Sequence, residues 1–214
     1  MGLLCCDLDN TLVDRDDAFL RWARTFAAAH GRDDDFVAWL VEIDGDGFGP
    51  RPEFYVHIHT RLGLTTPVDD LVAAYYRDFL PQFRAEEDVR AALARARAAG
   101  WRIAIVTNGP GTQLEKIRHA GLDTLVDAWC ISEVEGTSKP DAGLVELAAH
   151  RTGGDLEHAW MIGDSPEADI GGAAAMGLPS VWLHRGRDWV DNRFAPTRVV
   201  GNVIQGLSAI MAAQ

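Results

Sequence analysis

The sequence predicts an α/β protein: a doubly wound parallel sheet of about five strands with a helical domain inserted after the first strand. Three observations carry this. Short apolar runs alternate with helix-period segments from about residue 88 to the end, the pattern of strands joined by crossover helices. Several of those runs finish on acidic or hydroxyl residues. Between about Asp16 and Arg84 the alternation stops, and only helical patterns remain. The expected division is therefore a discontinuous, Rossmann-like core (1–15 and 85–214) interrupted by a helical insertion (16–84).

Taken in order, Leu3-Leu4-Cys5-Cys6 is a continuous apolar run, as a strand buried on both faces requires. The insertion follows with four amphipathic stripes. They are Phe19, Trp22, Ala23, Phe26 and Ala27; then Phe36, Trp39, Leu40 and Ile43; then Phe54, Ile58 and Leu62; then Val68, Leu71, Val72, Tyr75 and Phe79, ended by Pro81. These aromatic stripes read as the insertion's own core. Asp33-Asp34-Asp35 reads as a helix N-terminus, where the dipole favours acids.

Beyond residue 88, a helix on Val89, Leu93 and Ala96 leads to the strand Ile103-Ala104-Ile105-Val106. A helix on Leu114 and Ile117 leads to Ala128-Trp129-Cys130-Ile131. One on Leu144, Leu147 and Ala148 leads to Trp160-Met161-Ile162, and one over Glu167–Met176 leads to Ser180-Val181-Trp182-Leu183. Val203–Met211 is the last helix. Gly100, Gly121 and Gly177 sit where helices end, as left-handed caps.

Composition narrows the partners. A net charge of −12, from 20 basic and 32 acidic residues, should repel nucleic acid and anionic membranes, so neither is expected as a partner. It would also repel a phosphorylated substrate, so any phosphate site must carry local positive charge. Cys5 and Cys6 are adjacent and Cys130 is remote, the spacing of buried thiols in a reducing cytoplasm rather than of a disulfide framework. No leader-like or membrane-length apolar run is present. Met1-Gly2 starts like a lipidation signal, but Cys6 stands where Ser or Thr is needed. A cytoplasmic protein, monomeric or homodimeric, is expected.

Ligands of parallel sheets gather beyond the carboxyl ends of the strands. There the sequence places Asp7 and Asp9, then Thr107-Asn108-Gly109, then Gly163-Asp164-Ser165 with Asp169 five residues past Asp164. Lys139 lies in the loop Gly136–Asp141. A single Asp or Thr after a strand is commonly a helix cap or a solvated turn. Several strand-end clusters of matched chemistry are much harder to attribute to capping. Asp7, Asp9 and Asp164 would make an oxygen-rich pocket suited to Mg²⁺. A carboxylate beside that ion can attack phosphorus. Thr107, Asn108 and the N–H groups after Gly109 can bind phosphoryl oxygens, and Lys139 adds a fixed positive charge.

These segments, Asp7-Leu8-Asp9-Asn10-Thr11, Thr107-Asn108-Gly109, Ser138-Lys139-Pro140 and Gly163–Ile170, resemble in order the four motifs of the haloacid dehalogenase-like hydrolases. The resemblance covers nearly the whole chain outside the insertion, which matches that family's α-helical cap. Asn10 stands where glycine is commoner and Asn108 where serine is commoner. The resemblance implies that Asp7 is a nucleophile forming an aspartyl-phosphate and Asp9 a general acid and then base. It implies Mg²⁺ on the Asp7 carboxylate, the Asp9 carbonyl and Asp164, with Asp169 in support. Asn10, Thr107, Asn108, Gly109 and Lys139 would hold the phosphoryl group.

Within that family, dehalogenases lack the acid two residues after the nucleophile, so Asp9 argues for phosphoryl transfer. Phosphonate hydrolases use a cap lysine, and sugar phosphomutases rely on one too, although an arginine can substitute. The two lysines here, Lys116 and Lys139, both lie outside the insertion. Hydrolysis of a small phosphorylated metabolite is the expectation, with a phosphomutase, a dehalogenase or a non-catalytic phosphate-binding relative as alternatives. A phosphorylated receiver module fits less well, because its aspartate lies on an inner strand with no helical insertion. In the insertion, Arg51, Tyr55 and His59 follow the glycine-rich joint Asp44–Arg51 and are either substrate contacts or ordinary surface. His57 and His59 do not read as a metal site. Arg185, Arg187 and Trp189 follow the fifth strand and suit surface ion pairing better than substrate contact.

Overall fold

The computed structural model describes residues 2–47 and 51–212, so Phe48, Gly49 and Pro50 of the glycine-rich joint, and Met1 of the lipidation-like start, lie outside the described residues. The chain divides into two compact units, Met1–Val13 with Arg84–Gln214, and Asp14–Phe83.

The first unit is a parallel sheet of β1 (Gly2–Cys6), β2 (Arg102–Thr107), β3 (Ala128–Ile131), β4 (Asp155–Gly163), β5 (Ser180–Leu183) and β6 (Arg198–Val200). Spatially the order is β3-β2-β1-β4-β5-β6, with Cys5 opposite Ala104 on one side and Met161 on the other. The chain winds outward from β1 in one direction, then crosses back to wind outward in the other. The reversal leaves a crevice at the carboxyl end of β1.

Leu3, Leu4, Cys5 and Cys6 are all fully buried because helices cover both faces. Leu3 and Cys5 share a cluster with Val106, Cys130 and Met161, to which Leu144, Val145 and Ala148 of α8 (Gly143–Thr152) contribute. Alternation turns Leu4 and Cys6 the other way. Glycine at 206 lets α10 (Val203–Met211) approach that other face, since a Cβ there would stand 3.0 Å from Val181 and 3.8 Å from Ile162.

Two differences from the sequence reading concern this unit. A sixth strand, β6, extends the sheet; three residues with no apolar run of their own give no period to read. The helix expected over Glu167–Met176 is a π-helical turn, Pro166–Gly171, followed by the short α9 (Gly172–Ala175).

The second unit is helical: α1 (Arg15–Ala29), α2 (Asp34–Asp44), α3 (Arg51–Leu62) and α4 (Val68–Phe79). Asp14 caps α1 by accepting from Asp17 N, and Asp33 caps α2 by accepting from Phe36 N. The aromatic stripes form its core. Trp22 meets Tyr75 edge-on at 4.8 Å and Phe19 meets Phe79 at 5.9 Å between ring centroids. Asp44 is buried at the end of α2, where Arg15 and Arg51 both bond it at 2.7–2.8 Å. Arg51 is thus engaged within its own unit, Tyr55 is buried, and His59 bonds the Thr66 carbonyl at 2.7 Å.

Candidate active site

At the end of β1 the ladder continues for one more bond, Asp7 N to Ile162 O at 2.9 Å. The chain then folds tightly over Leu8, whose carbonyl accepts from the N–H groups of Thr11, Leu12 and Val13. Asn10 takes the left-handed conformation (φ +60°) inside this turn, which asparagine tolerates better than most residues. Asn10, expected as a phosphate contact, thus also shapes the turn through its backbone.

Carboxylate oxygens of Asp7, Asp164 and Asp169 lie within 4.8 Å of one another, and all three residues are buried. Lys139, 5% exposed, bridges two of them: its Nζ donates to Asp7 Oδ1 and Asp169 Oδ1, each at 2.7 Å. The other Asp169 oxygen accepts from Ser165 N at 2.9 Å. Only glycine fits at 163, because a Cβ there would stand 2.0 Å from Asp169 Oδ2. Asp164 is steadied from outside the cluster. Arg187 donates to its carbonyl at 2.6 Å and to Oδ2 at 3.1 Å, Arg185 stands 3.7 Å from Oδ2, and Trp182 Nε1 bonds the same carbonyl at 2.9 Å. Trp182, not Trp189, is the tryptophan that touches the site residues.

Electrostatically the cluster is over-supplied with negative charge. Burial pushes the Asp7 carboxyl well above the usual range; Lys139 opposes this, and Asp169 and Asp164 reinforce it. Asp164 is pushed up to about 6 by burial and by Asp169, against Arg187, Arg185 and Lys139. Burial works against the charged form of Lys139, but Asp169 and Asp7 more than offset it and hold its affinity for the proton above the ordinary value. Three buried carboxylates this close, two of them on one buried ammonium, are a fit for a small, hard cation, and an oxygen-only donor set favours Mg²⁺ among the common ones. A second acidic group, Asp155, Glu157 and His158, is exposed at the other end of β4, where His158 Nδ1 and Asp155 bond each other at 2.8 Å.

The Asp9 carboxylate does not join the cluster. It accepts from Lys116 Nζ on both oxygens, at 3.0 and 2.7 Å, and from Gln113 Nε2 at 3.0 Å. Both donors lie on α6 (Gln113–His119). Gln113 Nε2 also reaches Thr107 Oγ1 at 2.9 Å, tying the ends of β1 and β2 together. Sequence reading missed Gln113 and Lys116. A signal was present, since lysine occurs only twice in the chain and Gln113 and Lys116 are spaced to share a helix face.

Asn108 and Gly109 both have protein partners. The Asn108 side chain pairs with the main chain of Lys139, donating to its carbonyl at 2.8 Å and accepting from its N–H at 2.9 Å. An amide carries donor and acceptor side by side, which is what a peptide unit needs, so Asn108 fixes the lysine loop. Among the N–H groups proposed as phosphoryl donors, Gly109 bonds Ser132 Oγ at 2.9 Å and Gly111 bonds Glu133 at 2.8 Å. The backbone between Lys139 and Pro140 is cis.

A family model described as haloacid dehalogenase-like hydrolase matches residues 1–177. The chain is 31% identical over 191 residues to the glyceraldehyde 3-phosphate phosphatase of Pyrococcus abyssi, covering 85% of this chain and 80% of that one. It is 35% identical over 135 residues to a phosphoserine phosphatase of Thermus thermophilus, covering 63% of this chain and 54%, about half, of the relative. More distant relatives include (S)-2-haloacid dehalogenases. In three dimensions it is similar to the magnesium-bound hydrolase YfnB of Bacillus subtilis, with a TM-score of 0.80, 21% identity and 98% of each chain covered.

Proposed function

The chain belongs to the haloacid dehalogenase-like hydrolases, and from that premise we propose that it is a Mg²⁺-dependent phosphatase of small phosphate monoesters. The observation that carries the reading is the pairing of two differently dressed aspartates two residues apart. Asp7 sits in the buried carboxylate cluster against Lys139. Asp9 sits outside it, held by nitrogen donors.

In this reading an Asp7 oxygen attacks phosphorus. The ester P–O bond breaks, and Asp9 delivers a proton to the departing oxygen. Asp9 then takes a proton from water, whose oxygen attacks the aspartyl-phosphate, releasing inorganic phosphate and restoring Asp7. Lys139 neutralises charge on the phosphoryl oxygens and on Asp7. Thr107 offers its hydroxyl at the neighbouring strand end. The Asp7 and Asp164 carboxylates, with the Asp9 carbonyl, would hold Mg²⁺, and Asp169 would support them through Lys139 and the Ser165 turn. When bound, the ion supplies the positive charge that lets an anionic nucleophile approach an anionic phosphate.

Relatives named dehalogenases supply the rival reading, and Asp9 tells against it: a halide leaves without a proton, so an alkyl-halide hydrolase has no use for an acid held at that position. The test is phosphate release from 4-nitrophenyl phosphate and from a panel of sugar phosphates, nucleotides and phosphorylated small acids. Mg²⁺-dependent turnover, lost on chelation and in Asp7→Asn, is expected. Turnover undiminished by chelation or by Asp7→Asn overturns the mechanism.

A further inference from the structure

The chain carries 20 basic residues, and only two are lysines. Both are buried, Lys139 at 5% and Lys116 at 9% exposure, and each is bonded to one of the two aspartates of the β1 turn. Lys139 belongs to the reading above, whereas Lys116 and its neighbour Gln113 have no part in it. We propose that Gln113 and Lys116 are positioning residues that set the Asp9 carboxyl group, which enters the step protonated, for proton delivery to the leaving oxygen. This rests on the phosphatase reading.

The geometry is specific. Lys116 Nζ spans both Asp9 oxygens, which fixes the plane of the carboxylate as well as its place. Gln113 donates to one of those oxygens and to Thr107 Oγ1 from the same nitrogen, so the acid is located relative to the β2 end. The two donors stand three residues apart and therefore on one face of α6. Gly109 makes room for them: a Cβ there would stand 2.9 Å from Gln113 Cγ, and its φ of +155° suits glycine. A compact ammonium on a flexible stem fits beside a half-buried carboxylate where the wider guanidinium fork would demand more space, in a chain that otherwise uses arginine.

A purely structural tie would hold α6 to the β1 turn and affect every substrate alike. A positioning role makes a different prediction. Proton delivery matters most when the departing oxygen is a poor leaving group, so loss of positioning should penalise phenyl phosphate far more than 4-nitrophenyl phosphate. These substrates differ only in a ring substituent, and kcat/KM reports the steps up to cleavage of the ester bond. For Lys116→Met and Gln113→Met, kcat/KM for phenyl phosphate should fall on the order of 10-fold to 100-fold, within the usual contribution of acid–base catalysis. The fall for 4-nitrophenyl phosphate should stay within about threefold on the same basis. Lys116→Arg, which keeps the charge, should recover part of the lost ratio, and circular dichroism establishes that each variant is folded.

Equal losses on both substrates in folded variants, or no loss, overturn the proposal while leaving the phosphatase reading intact. If Lys116→Met does not fold, the same comparison on Gln113→Met decides. A wild-type protein that hydrolyses neither substrate nor any member of the phosphate panel overturns the phosphatase reading and this inference with it.

Discussion

Replacing Lys139 by methionine removes the ammonium from between Asp7 and Asp169 while leaving a side chain of similar length. Both bonds are 2.7 Å, Lys139 is 5% exposed, and its partners are 8% and 1% exposed. Water therefore cannot take over. Removing one member of a buried pair costs about 3–5 kcal/mol because a desolvated charge is left behind. With a urea dependence of ~2 kcal/mol per M, the unfolding midpoint should fall by about 1.5–2.5 M. Asp7, whose proton affinity burial already raises against the pull of Lys139, has a second way out once that ammonium is gone, which is to bind a proton. Its folded-state affinity for the proton then exceeds that of the unfolded chain. Groups of that kind add stability below their unfolded pKa, and that contribution is lost as pH rises. The deficit should thus be largest at pH 7 and shrink toward pH 5. Urea titrations followed by far-ultraviolet circular dichroism, in EDTA so that no divalent cation substitutes for the ammonium, read both effects. A midpoint change worth under about 1 kcal/mol at pH 7, well below the cost of a broken buried pair, or a deficit that grows on acidification, would refute this account of the cluster.

Two other perturbations probe neighbouring features. Gly163→Ala places a Cβ 2.0 Å from Asp169 Oδ2, and Asp169 cannot yield without releasing Ser165 N or Lys139. A loss of about 1–3 kcal/mol in thermal or urea unfolding is expected, with phosphatase activity falling further than stability. An unchanged melting temperature would contradict the tight packing. Burial, with neighbouring thiol and carboxylate charge, raises the Cys6 thiol, and burial raises Cys5 to about 12. Stability should accordingly decline once pH passes the ordinary thiol value of about 8.5, because the unfolded chain then loses protons that the folded one keeps. Cys6→Ala should remove about 1.4 kcal/mol per pH unit of that decline, measured by urea titrations between pH 8.5 and 10; an unaltered slope would show that Cys6 is not the source.

The sheet was legible because its physics is local in sequence. A strand covered on both faces must be apolar at every position, and Leu3–Cys6 or Ile103–Val106 can be little else. The helix period is equally plain in Val89, Leu93 and Ala96. What escaped was decided by distant partners. The strand Arg198–Val200 is exposed or half-buried and forms because β5 offers it an edge, with Val181 opposite Arg198. The π-helical turn after Ser165 widens a helix that the period alone draws as regular.

The same division runs through the site. Asp7, Thr107 and Asp164 stand out in the sequence because they follow strands, and the fold brings Asp7, Asp164 and Asp169 together, with the loop residue Lys139 bonded to Asp7 and Asp169. The protein partners of Asn108 and Gly109 do not, since each depends on which atom across the site it meets. Asn108 is expected at a phosphate, and in the fold its amide also pairs with the main chain of Lys139. The Gly109 N–H looks bare in the sequence, and in the fold it bonds Ser132 Oγ. In both cases the residue type suits a phosphate oxygen and a protein partner equally, so chemistry alone cannot choose between them. Position in the chain does better. Lysine is rare enough here that its two occurrences mark the two aspartates of the β1 turn, a scarcity plain in the sequence itself.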